Sequence, residues 1–111
     1  MRFLQALLAV NSRRQMAQLA TEVARRSQAA VIDKVGYGVL WMSIAETRGY
    51  VRARARSVLE AAVDKLLPDG AAGDRVMRAN LIDEALERSI VWVVAQKVKV
   101  DSPLARYRRA A

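Results

Sequence analysis

The chain reads as an all-α domain with three main helices and short terminal helices, arranged as an antiparallel bundle or an extended helical hairpin. Three observations lead there. Apolar residues recur at spacings of three and four along most of its length, the mark of amphipathic helices. There are 20 alanines against two prolines and five glycines, so strong helix formers far outnumber breakers. Aromatic residues make up only 5%, which suits helices packed closely on small side chains. Its 111 residues, 53% of them hydrophobic, read as a single helical domain over 1–111. Such a domain can bury one core without disulfides or metal.

A short helix is expected at about residues 2–10, with Phe3, Leu4, Leu7 and Leu8 on its apolar side. The basic start and apolar run look briefly like a signal peptide. However, Gln5 interrupts the run, no small-x-small cleavage site follows, and Arg13-Arg14 come soon after. A helix docked on this chain or a neighbour fits better, with an amphipathic membrane anchor as the alternative. Asn11-Ser12 then breaks the pattern, and Ser12 with Gln15 has capping-box form. The first long helix follows, with Met16, Leu19, Val23, Ser27, Ala30 and Lys34 as its inner stripe.

Gly36-Tyr37-Gly38 is a hinge at which that helix ends or kinks. The next stripe is the clearest in the chain: Tyr37, Leu40, Trp41, Ile44, Val51, Ala55, Val58, Leu59, Ala62 and Leu66. If continuous it makes a helix of roughly 40 Å. Leu67-Pro68-Asp69-Gly70 stops it. Asp74 is the candidate N-cap of the last long helix, whose inner stripe is Ala79, Ile82, Leu86, Ile90 and Val93. From Ile90 to Ala95 the apolar residues run all the way round, which predicts burial on several sides by this chain or another copy. Residues 96–100 alternate polar and apolar, so a short strand or a helix end both fit. Ser102-Pro103 then opens a basic C-terminal tail at about 102–111.

The formal charge is +8, carried by 15 arginines and four lysines against 11 acids. Arginine forks onto phosphate or carboxylate, so the partners indicated are nucleic acid or acidic protein. The chain holds no cysteine and no histidine. That excludes disulfides, thiolate chemistry, Cys/His zinc sites and imidazole-based catalysis. The longest uncharged stretch, Val35 to Ala45, is far short of the roughly 20 residues of a membrane span. A membrane partner is therefore disfavoured. The default location is the cytoplasm, or a particle assembled there.

The candidate contact residues are arginines. Arg48, Arg52 and Arg56 fall four apart and climb one side of a helix together. Such a row calls for a phosphate backbone, an acidic partner or internal carboxylates such as Glu46, Glu60, Asp83, Glu84 or Glu87. Arg48 falls within the apolar arc of the wheel, and Arg54 points elsewhere. Tyr50 offers a nearby stacking surface for a base. Arg106, Arg108 and Arg109 flank Tyr107 in the tail and suit a phosphate or an acidic groove. Trp41 and Trp92 are candidate core or interface anchors. Paired acids can hold Mg²⁺ or act as acid and base, but Asp83, Glu84 and Glu87, like Glu60 and Asp64, stand where arginines can answer them.

No catalytic residue, cofactor or metal site is expected. The function expected is that of a non-enzymatic assembly subunit in a larger complex, of which a virion or other many-copy particle is one example. It would join through apolar helix faces and arginine contacts to acidic neighbours. The alternatives are a basic helical nucleic-acid-binding protein and a peripheral membrane protein anchored by its N-terminal helix.

Overall fold

Arg13–Val35 forms the first helix, α1. The computed structural model describes residues 13–67 and 75–100. Ser12, Asp74, the 68–73 loop, the short helix expected at 2–10 and the tail at 102–111 lie outside those residues. α1 buries Leu19, Ala20, Val23, Ala24, Ser27, Val31 and Val35. The inner row thus runs through Val31 and Val35, and the expected Ala30 and Lys34 face solvent. A valine hides more apolar area than an alanine, and a lysine ammonium stays wet where it can.

α1 stops at Gly36, whose φ of 69° and ψ of −171° belong to a region essentially reserved for glycine. Its N–H still donates to the Ile32 carbonyl at 2.8 Å. One 3-10 turn follows, Tyr37–Trp41. The chain then restarts at Ser43, the N-cap of α2 (Ile44–Leu66). The Glu46 N–H donates to Ser43 Oγ at 3.1 Å, and the Ser43 N–H donates to Glu46 Oε1 at 3.0 Å. This capping box satisfies two orphan donors reciprocally. The long helix expected from Tyr37 is therefore interrupted. α2 has 23 residues, and Tyr37, Trp41 and Ile44 face solvent instead of the core.

α2 buries Thr47, Val51, Ala55, Leu59 and Val63, one residue in every four. The Thr47 hydroxyl donates to the Ser43 carbonyl at 2.8 Å, so its burial leaves no unmet donor. α3 runs from Arg75 to Val100 and buries Met77, Leu81, Ile82, Ala85, Leu86, Ser89, Ile90, Val93 and Lys97. It stays helical across 96–100, so no strand forms there. Ala79, expected inside, is exposed, because Met77 and Leu81 supply more apolar surface at that level. Val91 and Ala95 are exposed too, so the described residues do not cover the apolar belt around Trp92 on every side.

All three helices pack on one another, which makes a bundle and not a hairpin. α2 is antiparallel to α3, since Arg52 pairs with Glu87 and Asp64 with Arg78. Arg88 reaches back to Thr21, and further along both helices Ile32 and Val35 share a groove with Val93 and Gln96, so α1 and α3 run side by side in the same direction. Leu59, Leu81, Ile82, Ile90, Val31, Val51 and Val63 are the largest fully buried apolar side chains and fill the middle.

The glycines give a direct check of the helix break. Nothing lies within 4 Å of a Cβ built on Gly36 or Gly49, so each substitution reports on the backbone alone. Gly36→Ala is expected to lower unfolding free energy by about 1–3 kcal/mol, the typical cost of a strained φ/ψ pair. Gly49→Ala, on an exposed position inside α2, is expected to raise it by about 1 kcal/mol. Urea denaturation of the two variants measures both. A neutral Gly36→Ala would mean that α1 does not end in this turn.

Candidate functional site

The arginine row owes its position to the buried row beside it. Arg48, Arg52, Arg56, Glu60 and Asp64 each follow a buried residue of α2, from Thr47 to Val63. On α3, Arg78, Asp83 and Glu87 likewise follow Met77, Ile82 and Leu86. One residue along a helix is a turn of about 100°, which moves a side chain from the seam to its edge. In an antiparallel pair those two edges are the same edge, so the charges meet.

They meet with opposite signs. Arg48 Nη2 lies 3.7 Å from Glu87 Oε2, and Arg52 bonds the other oxygen of the same carboxylate. Arg56 Nη2 donates to Asp83 Oδ1 at 3.0 Å. Further along, the polarity reverses: Arg78 on α3 grips Asp64 on α2 with Nε and Nη2 at 2.7 and 2.9 Å. Internal carboxylates are thus what answers Arg48, Arg52 and Arg56. Arg48 sits outside the apolar arc, with its side chain about half exposed. Exposed pairs of this kind are worth typically about 0.2–1 kcal/mol each. They select one register more than they add stability.

The remaining charges are local or cross-linking. Glu22 accepts from both Arg25 and Arg26 on its own helix. Arg88 bonds Glu84 and also donates to Thr21 Oγ1 of α1 at 2.9 Å. Arg54 does point away from the row: its guanidinium stacks 4.9 Å over the Tyr50 ring, covering the face considered for a base. Asp64, Asp83, Glu84 and Glu87 each have an arginine partner. Among the described residues no group of three or more acids gathers to hold a metal.

The two tryptophans part company. Trp92 packs against the core and lines a groove of about 180 Å³ with Ile32, Tyr37, Leu40 and Val93. Trp41 stands in solvent, 90% exposed. Arg106, Arg108 and Arg109 fall outside the described residues. One feature escaped the sequence reading. The Ser43–Glu46 capping box was visible as Ser-Ile-Ala-Glu. An outer apolar strip, Val91, Ala95 and Val98, lies on the solvent side of α3. The register that sets Arg48 against Glu87 brings Ile44 level with Val91, one turn further along each helix. The charged edge thus gives way to an apolar one towards the 3-10 turn. Among the described residues no helix is long and apolar enough to cross a membrane.

These pairings shape the acid response. The bonds from Arg78 hold the Asp64 carboxyl below its ordinary range. Arg25 and then Arg26 lower Glu22 to about 2. The Ser43 N–H and then its hydroxyl lower Glu46. These groups bind protons less readily folded than unfolded. Their contribution is therefore complete above the ordinary carboxylate values of 3.8 and 4.5 and is lost as pH falls through the lower folded values. The urea midpoint is expected to hold level near neutral pH and to fall from about pH 5 towards pH 2. Asp64→Asn should begin lower and fall less steeply. The same acid slope in both proteins would contradict the Asp64–Arg78 bond.

No protein-family model matches the chain, and the comparisons with curated proteins and solved structures found no match.

Proposed function

We propose that this chain is a non-enzymatic structural subunit that assembles with other helical subunits, copies of itself included, through the apolar strip of α3 and the adjoining Ile44. The observation that carries this is exposure in the wrong place for a self-sufficient monomer. Val91 and Val98 are 58% and 52% exposed, and neither belongs to the core cluster. Single exposed valines are ordinary, but a contiguous apolar strip is a docking feature. The 91–95–98 spacing repeats at three and four, so a partner helix can lie along it with side chains interleaved. Covering it yields roughly 25 cal/mol for each Å² of apolar surface removed from water.

Of the partners considered for the arginine row, internal carboxylates are the ones it meets. Arg48, Arg52 and Arg56 keep α2 and α3 in register, and acidic neighbours are not needed to neutralise them. This also weighs against the nucleic-acid alternative. A phosphate-tracking stripe needs its cations on one face. With the row occupied, other described cations are spread along the bundle: Arg13 and Arg14 at the start of α1, Arg25 and Arg26 on Glu22 in its middle, and Lys99 in the last turn of α3.

Val91→Glu with Val98→Glu tests the proposal, because both side chains face solvent and the fold does not need them. Light scattering is expected to show a many-copy species for the native chain and a monomer for the double variant, with unchanged helical content. A native chain that stays monomeric at every concentration would overturn the proposal, as would an assembly indifferent to both substitutions.

A further inference from the structure

We infer that the groove between α1 and α2 receives an amphipathic helix with acidic edges, supplied by another protein. The inference goes beyond the Val91 strip and uses a different face of the bundle. The groove measures about 500 Å³, and its apolar lining is Val23, Ala30, Val58, Ala61, Ala62 and Leu66. Val58, Ala62 and Leu66 are part-buried and pack against the core, so the floor is an extension of the core open to solvent. Ala30 and Ala61 are exposed and end at Cβ, which lets the axis of an added helix come close. Positions 58, 61, 62 and 66 recur at three and four along α2, the spacing that accepts a ridge of side chains from a neighbouring helix. A helix laid there completes a four-helix arrangement, the helix-in-groove mode of recognition.

The charges name the partner's chemistry. Arg26 stands on the α1 wall and Lys65 on the α2 wall. Arg54, exposed, lies one turn before Val58 on the same stripe of α2. Glu22, the acid among the lining residues, already accepts from Arg25 and Arg26. Asp64, next to Lys65, is committed to Arg78. The rims are therefore cationic around an apolar floor, and carboxylates flanking an apolar ridge complement them. α3 of a second copy does not bring that edge, since Asp83, Glu84 and Glu87 are held by Arg56, Arg88 and Arg52. A phosphate backbone is a poorer match as well. It calls for a continuous run of cations, and here apolar residues separate them.

Fluorescence anisotropy of a labelled helical peptide against the full chain tests this. The probe carries leucine and alanine at helical spacing, with glutamate on both flanks. It is expected to bind, and to bind less as salt rises. The same peptide with lysine in place of glutamate should bind at least about tenfold more weakly. Arg26→Glu with Lys65→Glu should reverse that preference. Ala30→Gln with Ala61→Gln fills the groove from exposed positions and should abolish binding, with helical content unchanged. Val91→Glu with Val98→Glu should leave peptide binding in place, which separates failure of this groove from failure of the assembly strip. No binding of the glutamate peptide, equal binding of both peptides, or binding that survives the two glutamines would overturn the inference. So would a DNA duplex that binds more tightly than the glutamate peptide, which would assign these cations to phosphate.

Discussion

The fold depends on the row of residues that α2 buries one in four: Thr47, Val51, Ala55, Leu59 and Val63. A spacing of four overshoots the 3.6-residue turn, so such a row drifts by about 40° at each step on a straight helix. From Thr47 to Val63 it sweeps an arc wide enough to serve two neighbours, and α2 is packed by both α1 and α3. The row is also slim. Leu59 is its only long side chain, and Ala55 sits at its centre. Short side chains at a crossing draw helix axes together, which is how a chain with few aromatics closes its core.

The arginine-rich stretch makes sense only beside that row. Its charges are the residues next to the buried ones, carried round the helix by the same drift. Along α2 the signs run from Arg48, Arg52 and Arg56 to Glu60 and Asp64. Along α3 they run from Arg78 to Asp83 and Glu87 in the antiparallel sense. A slip of several turns, or an inverted α3, would set like charges against each other. Each exposed pair is weak, but the set penalises wrong arrangements, which is how polar residues specify structure without holding it together. The large positive charge of the chain therefore resides in cations outside this seam.

Much of the fold was legible because helices leave periodic traces. α1 and α3 follow from apolar spacing, and the arginine–carboxylate meeting follows from three charges four apart. What misled was the Tyr37–Ile44 segment. Tyr37 and Trp41 are apolar and four apart, so periodicity runs unbroken across a real break. Periodicity counts residue types and not burial. The opposing local signals were present, in two glycines and in a Ser-Ile-Ala-Glu cap, and local capping prevailed over the stripe. The same limit explains Ala30 and Ala79, which fit their stripes but lost their places to the larger Val31, Met77 and Leu81. Trp92 and Trp41 look alike in sequence. Only the path of the 3-10 turn separates a residue packed at the core from one set in solvent.

The result is a rod whose charged seam is internally satisfied and whose apolar surface is concentrated towards one end. The central claim is that Arg52 and Arg56 belong to the fold, through Glu87 and Asp83, and not to an external polyanion. Exchanging the signs across the seam tests it most directly. Arg52→Glu with Arg56→Glu, and Glu87→Arg with Asp83→Arg, should each lower the melting temperature. The four substitutions combined should recover most of that loss, because the pairs reform with reversed polarity. Losses that simply add in the combined variant would contradict the claim and return the arginine row to a partner outside the chain.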